Sequence, residues 1–206
     1  MIRLSGQIKR FRPQSSSRRQ LPFPAAPHLR IAQVTASSAR FDLVETFPPD
    51  QWEQLENYRP HLLIGASGEL RRLAEQTRVG ILDLSSVDHA VFVLSSWGDR
   101  PASDILRVVL WQAFGVPVYE LFIGANGIVL ASECEAHQGW HVEGNARFSM
   151  INDELVLDAA HESTVRSSFR GILETALCPC GRSGARLIDV EHVRARDVPR
   201  ELAATA

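Results

Sequence analysis

The sequence predicts an α/β fold: a partial three-layer sheet of alternating strands and helices, followed by a small β region that its cysteines hold together. Two observations carry this expectation. Over residues 29–125, short apolar runs typical of buried strands alternate with apolar residues at helical spacing, which is the pattern of parallel sheets. After Ile123 the helical spacing stops, and short β-like segments follow one another between Gly, Asn and Asp turns.

The first half of the chain contains four predicted strands and three predicted helices. The last helix is the clearest, because five apolar residues recur at helical spacing: Ile105, Leu106, Val109, Leu110 and Ala113. We expect strands at 28–34, 61–65, 90–94 and 116–122, and helices at 51–58, 69–77 and 102–114.

The second half is predicted to consist of short strands at 128–133, 141–143, 147–151, 154–158, 165–169 and 186–190. Asn152-Asp153 is typical of a hairpin turn between two of them. We therefore divide the chain into a flexible basic arm (1–28), an α/β subdomain (29–125), a small β subdomain with the cysteines (126–192) and a tail (193–206).

The charge of the chain is small overall but unevenly distributed. A net charge of -2 argues against nucleic acid or an anionic membrane as the partner of the whole molecule. Every charged residue before Asp42 is basic, and the first 28 residues are rich in Arg, Ser and Pro. This composition indicates a flexible basic arm.

Three features bear on location. No apolar run approaches the about 20 residues needed to cross a bilayer. The first residues lack the apolar core of a signal peptide, because Arg3, Lys9 and Arg10 interrupt them. The cysteine count is odd, at three, so we expect a reducing cytoplasm, where clustered cysteines are metal ligands more often than disulfides.

The three cysteines form the most informative pattern in the chain. The run Cys178-Pro179-Cys180-Gly181-Arg182 places two thiols across a predicted tight turn, so that both sulfurs can reach one ion. Cys134 lies in a separate β segment, and His137 and His141 follow it closely. Three thiols and one imidazole are the donor set of a closed structural zinc site. We predict structural Zn²⁺ with Cys134, Cys178, Cys180 and either His141 or His137; a redox pair and unliganded buried cysteines are the alternatives.

These segments resemble the phenylacetate–coenzyme A ligase branch of the adenylate-forming (AMP-binding) superfamily. Residues 178–182 are similar to its Cys-Pro-Cys-Gly-Arg signature, and 154–157 to its Glu-Leu-Val strand. Residues 115–122 resemble the strand that leads into its adenine-binding loop, and Glu133-Cys134 with Gly139-Trp140-His141 resembles the segment that follows. The resemblance implies an adenylate-forming fold and makes His141, rather than His137, the fourth metal ligand.

The chain departs from this family where the family binds ATP. The resemblance implies a Ser/Thr/Gly-rich phosphate loop followed by lysine, but the only lysine in the sequence is Lys9. The family's Tyr-Gly-x-Thr-Glu loop aligns with residues 122–126, which lack its hydroxyl and carboxylate, and its ribose-binding acid aligns with Gly171. The family's mobile C-terminal domain would begin where this sequence ends. We therefore expect no acyl-adenylate or CoA-thioester synthesis and assign no catalytic residue.

Three hypotheses for function follow. The first is a zinc-stabilised, non-catalytic remnant of an acid–CoA ligase that binds a second copy of itself, a partner protein or a small ligand; its alternative is an active ATP-dependent ligase or an accessory subunit of one. The second is an enzyme that uses polar residues near strand ends, namely Asp88, His89, Ser95, Ser96, Asp99 and Glu120. The third is nucleic-acid binding through the arm and Arg182, Arg186, Arg194 and Arg196, against which the aromatic content of 7% argues.

Overall fold

The computed structural model describes residues 28–34, 41, 43–97, 99–124, 127–144, 146–151, 154–158 and 165–192. Residues 1–27 of the predicted arm, the predicted turn at Asn152-Asp153 and the predicted tail lie outside these ranges. The helices are α1 (Trp52–Tyr58), α2 (Ser67–Arg78) and α3 (Asp104–Phe114). The strands are β1 (Ile31–Val34), β2 (Val44–Phe47), β3 (Leu62–Ala66), β4 (Ala90–Ser96), β5 (Val118–Ile123), β6 (Val129–Glu133), β7 (Trp140–Val142), β8 (Arg147–Ile151), β9 (Glu154–Asp158), β10 (Val165–Glu174) and β11 (Arg186–His192).

All described strands belong to one mixed sheet, in the order β2-β1-β3-β4-β5-β6-β7-β11-β10-β9-β8. The first five strands in this order are parallel. Every pairing from β5–β6 onward is antiparallel, which confirms the change of pattern predicted after Ile123. Because the sheet is continuous from β5 to β6, the proposed division into two subdomains stays a prediction.

The predicted three-layer arrangement is not seen among the described residues. All three helices bury their apolar side chains in one cluster, which contains Leu55 of α1, Leu70 and Leu73 of α2, and Leu106 and Leu110 of α3. The order of the parallel strands explains this. The steps from β2 to β3, β3 to β4 and β4 to β5 all run in one direction across the sheet, and right-handed crossovers then place every helix on the same face.

The opposite face of the parallel strands has its own apolar cluster. Alternate residues of the same strands form it, including Ile31, Leu62, Ile64 and Phe92, as the period of two in a strand requires. Phe41 covers part of this face and comes from the connection between β1 and β2. The step from β1 to β2 runs across the sheet in the reverse direction, which agrees with the position of Phe41 on the face opposite the helices.

The antiparallel strands enclose a third apolar cluster, which contains Phe122, Leu155, Phe169 and Leu187. Trp97, just after β4, packs into it with its ring centroid 5.6 Å from that of Phe122 and 5.1 Å from that of Phe169. The cluster therefore joins the carboxyl end of the parallel strands to the antiparallel region.

The sequence of α3 explains where the helix begins, but the prediction of its buried face was wrong at one residue. Ser103 precedes the helix and its side chain accepts a hydrogen bond from the Leu106 N–H at 3.3 Å, which caps the first turn. Leu106 and Leu110 are buried as predicted, but Ile105 is 71% exposed and does not belong to the buried face. No described helix is long and apolar enough to cross a membrane.

Candidate metal centre

Two turns place the three cysteines. The Gly181 N–H donates to the Cys178 carbonyl at 2.9 Å, which closes the turn predicted from Pro179 and Gly181. The His137 N–H donates to the Cys134 carbonyl, also at 2.9 Å, and forms a similar turn directly after β6. Each cysteine that begins a turn is thus held by the backbone of its own segment.

The structure brings the four predicted ligands together. The Sγ atoms of Cys134, Cys178 and Cys180 and a ring nitrogen of His141 all lie within 4.8 Å of one another. Cys134 Sγ is 3.6 Å from Cys178 Sγ, and Cys180 Sγ is 3.4 Å from His141 Nε2. Zn–S bonds of about 2.3 Å in a tetrahedron separate neighbouring ligand atoms by roughly 3.8 Å, so the donor set fits such an ion.

The burial and the charged neighbours of the cluster shift the pKa values of its residues in different directions. Burial raises the pKa of the Cys134 thiol to about 11. Burial acts in the same direction on Cys178, but hydrogen bonds from Cys180 and Cys134 together with Arg186 outweigh it and lower the pKa of that thiol. Burial and the neighbouring Arg182 and Arg186 lower the pKa of His141, which favours the neutral imidazole that ligates metals. Metal binding would release protons from the remaining thiols.

The structure separates the two candidate histidines. His141 is 1% exposed, and its Nε2 faces the sulfurs. Its buried Nδ1 has no hydrogen-bond partner among the described residues. His137 points elsewhere: its Nδ1 lies 2.8 Å from Glu133 Oε1, and its ring stacks on Tyr119 with centroids 5.1 Å apart. The geometry therefore selects His141.

Two arginines lie beside the cluster and were not anticipated as parts of it. Arg186 is 5% exposed, donates from Nη1 to Cys178 Sγ at 3.0 Å and pairs through Nη2 with Glu174. Arg182 pairs with Glu143 at 2.5 Å and donates to Ser132 Oγ at 3.2 Å. Three thiolates, one neutral imidazole and one divalent cation carry a net charge of -1. The guanidinium groups of Arg182 and Arg186 lie close enough to stabilise that negative charge. Their position depends on β11 meeting β7, a long-range contact that leaves no signal in the local sequence.

The same contacts weaken the nucleic-acid hypothesis. It required Arg182 and Arg186 at the surface, but both guanidinium groups are paired with carboxylates. Arg194 and Arg196 lie outside the described residues.

The polar residues of the alternative enzyme hypothesis fall into two separate groups. Asp88 and His89 pair with each other at 2.6 Å before β4 begins, at the surface. Ser95 and Ser96 end β4, and a strand of this length separates the two groups by about 20 Å. Asp99 lies beyond Ser96, with its N–H bonded to the Ser96 carbonyl. The structure does not bring the six residues into one constellation.

Ser95 and Glu120 do meet, within a buried polar network. The Ser95 hydroxyl donates to Glu120 Oε1 at 2.5 Å, and the Ala102 N–H donates to the same oxygen at 2.8 Å. Arg107 lies between Glu120 and Glu133, at 3.4 Å and 2.8 Å from their carboxylates. Burial raises the pKa of Glu120 although these donors act against it. Glu133 also accepts from the Glu120 backbone N–H, so the network ties α3 and β5 to the segment that carries Cys134.

Comparisons with known proteins give the fold. No family model matches the sequence, and no curated protein matches it. Solved structures do match. A 2-hydroxyisobutyryl-CoA ligase in complex with 2-HIB-AMP and CoA has a TM-score of 0.62 at 15% identity, over 81% of this chain and 44% of the ligase. The fold is that of part of an adenylate-forming acid–CoA ligase.

Two further ligases agree. Coronafacic acid ligase from Pectobacterium brasiliense matches with a TM-score of 0.53 at 12% identity, over 81% of this chain and 40% of that one. An anthranilate CoA ligase, AuaEII, solved with anthranoyl-AMP, matches with a TM-score of 0.50 at 8% identity, over 76% and 39%. This chain spans less than half of the length of each ligase. Identities this low establish a shared fold alone.

The assignment of His141 can be tested by metal content. We expect the purified protein to contain about one equivalent of zinc, and His141→Ala and Cys178→Ser to lose most of it, because removing one of four ligands opens a structural site. His137→Ala is the matched control and should keep its zinc. Inductively coupled plasma mass spectrometry gives the metal content. Full zinc in His141→Ala, or loss in His137→Ala, would contradict the assignment.

The buried Glu120 makes a prediction about pH. Its pKa is raised in the folded protein, so above the ordinary carboxyl value of 4.5 the folded state binds more protons than the unfolded state. Stability therefore falls as the pH rises through the interval between the two pKa values. We expect the stability of Glu120→Gln relative to the native protein to rise as the pH rises above 4.5, by about 1.4 kcal/mol for each unit by which the pKa is raised. Urea denaturation at several pH values measures this difference.

The control for this prediction is Glu53→Gln, which removes a carboxylate from an exposed position in the first turn of α1. If the stability difference between Glu120→Gln and the native protein stays constant over that pH range, the account of Glu120 is wrong.

Proposed function

We propose that this chain is a zinc-stabilised, non-catalytic relative of the phenylacetate–CoA ligase branch and that it acts by binding a second copy, a partner protein or a small ligand. Two findings support the structural part of the proposal. The fold is that of part of an acid–CoA ligase, and four residues that match the family's cysteine signature converge as a ligand set. The functional part rests on the geometry of the positions where the family handles nucleotide.

Gly171 is the observation on which the proposal depends most. The resemblance places the ribose-binding acid at this position in β10. A Cβ atom built on Gly171 would lie 2.9 Å from Leu155 Cδ1 and 3.1 Å from the Ile188 carbonyl oxygen. A side chain at this position would therefore require the Leu155 side chain and the neighbouring β11 backbone to shift. Close packing at this half-buried position supports the proposal that the ribose-binding acid has no counterpart here.

The carboxyl ends of β4 and β5 support the same conclusion. Ligands of α/β sheets usually bind at this edge. Here Trp97 follows β4 and packs among Phe122, Phe148 and Phe169, with centroid separations of 4.8 to 5.6 Å. Adenylation needs cationic groups around the phosphates. The sequence contains no lysine beyond residue 9, so no lysine lies in the described part of the chain.

The outer face of α3 favours a role in binding. Ile105, Val108 and Trp111 recur at helical spacing on this face and are 71%, 52% and 61% exposed. Large apolar side chains grouped at the surface are typical of interaction sites. We therefore assign partner binding to this exposed face of α3.

One alternative deserves a direct test. The matching ligases include structures that hold acyl-adenylates, and this chain covers less than half of them. The chain could therefore be an accessory subunit that works with a second polypeptide, or itself an ATP-dependent carboxylic acid–CoA ligase. In both versions the chain takes part in adenylation, either as the ligase itself or as a subunit that completes one.

The test is ATP–pyrophosphate exchange by the full chain with a panel of aliphatic, 2-hydroxy and aromatic carboxylic acids. We expect no exchange above background, because the groups that stabilise charge on the phosphates are missing, and each such group commonly contributes about 10²–10³ in rate. An active acid–CoA ligase assayed in parallel is the control. Acid-dependent exchange would refute the non-catalytic proposal and favour the ligase.

A further inference from the structure

A large groove lies between α3 and β11 and has a volume of about 1460 Å³. Its apolar lining includes Val108 and Trp111 of α3, Trp140 of β7 and Ile188 of β11. Val108 and Trp111 are more than half exposed, so apolar surface is open to solvent along one wall of the groove. A groove of this kind accommodates an extended or helical segment that brings apolar side chains of its own.

The rim of the groove is acidic. Five acidic and two basic side chains line it, and both of the basic ones, Arg107 and Arg186, are already paired with carboxylates. Asp104, Asp189 and Glu191 are exposed, and no basic side chain of the described residues lies within ion-pair distance of them. The groove therefore presents apolar surface with unpaired negative charge around it, which fits a basic, partly apolar occupant.

We propose that residues 1–27 of this chain are that occupant and dock into the groove between α3 and β11. Residues 1–27 contain no acidic residue and six basic ones: Arg3, Lys9, Arg10, Arg12, Arg18 and Arg19. Apolar residues stand among these charges, with Ile8 and Phe11 beside Lys9, Arg10 and Arg12. Residues 1–27 therefore have both the positive charge and the apolar side chains that complement the groove.

The position of β1 makes the contact geometrically accessible. Ile31 begins β1 and is level with Leu62 of β3 and Ala90 of β4, while Val91 is level with Val118 of β5. The chain thus enters β1 at the same edge of the sheet as Pro117, which lines the groove. Three strand spacings separate β1 from β5, or about 14 Å. A random coil of 27 residues would have a root-mean-square span of about 28 Å, so the segment is long enough to reach the groove.

Tethering makes even weak contacts effective. A segment joined through a short flexible linker is present near its site at an effective concentration in the millimolar range. Docking then covers Val108 and Trp111 in the isolated chain, and an external partner must displace the arm before it binds α3. This inference rests on the proposal that the face of α3 is a binding surface, and not on the absence of ligase activity.

The test is photo-crosslinking in the full chain. Val108→p-benzoylphenylalanine places a photoreactive group in the groove, and the products are mapped by mass spectrometry after separation of monomer from dimer. We expect crosslinks within one chain from position 108 to residues 1–27. Val79→p-benzoylphenylalanine is the matched control, because Val79 is 68% exposed and follows α2, which joins β3 and β4 nearer to β1.

Charge dependence completes the test. Replacing the six basic residues of the arm by Gln, or raising the salt to 1 M, where the screening length is about 3 Å, should lower the yield from position 108 roughly fivefold or more. Equal yields from positions 79 and 108, a yield that ignores charge, or no crosslink to residues 1–27 would overturn the inference. Crosslinks between two chains would instead make a second copy the occupant and would also overturn it. Pyrophosphate exchange tests the non-catalytic proposal and crosslinking tests the docking of residues 1–27, so the failure of one proposal can be distinguished from the failure of the other.

Discussion

The eleven-stranded sheet is narrowest where β7 meets β11, and the Cys/His cluster lies across that junction. Only two residue pairs join the strands there, Arg186 with His141 and Leu187 with Trp140. Cys134 and His141 come from the β6–β7 side, and Cys178 and Cys180 precede β11. An ion bound by all four would cross-link segments 44 residues apart in sequence at the point where the hydrogen-bond ladder is shortest. Strands β11, β10, β9 and β8 join the rest of the sheet through that junction.

The polar network beside the cluster explains how the two halves are coupled. Glu133 precedes Cys134 directly, and its carboxylate accepts from Arg107 of α3 and from the backbone of β5. The Glu133 side chain thus hydrogen-bonds the backbone of β5 beyond the last residue pair that β5 forms with β6. Contacts beside Cys134 therefore help to hold the fold that this chain shares with part of the CoA ligases, and aromatic side chains pack near the carboxyl ends of β4 and β5.

The convergence of Cys134, Cys178 and Cys180 was predictable because the chain has only three cysteines, whereas the choice of His141 over His137 came from the family resemblance. The strands at 147–151 and 154–158 were also predicted with the bounds that the structure has, since turn residues flank them. The sequence could not predict β2, an edge strand of four residues with little apolar character. It also misplaced Ile105, because helical spacing identifies a helix without saying how wide its buried face is. Arg107, Glu133 and Arg186 act through long-range contacts that no local pattern records.

Zinc K-edge X-ray absorption of the purified, metal-loaded protein tests the central claim most directly, because it reads the ligands of the ion itself. The account predicts a first shell of three sulfurs at about 2.3 Å and one imidazole nitrogen at about 2.0 Å. A shell made of oxygen or nitrogen atoms without sulfur, or sulfur from two thiols only, would contradict the proposal that one ion joins the two sides of the β7–β11 junction.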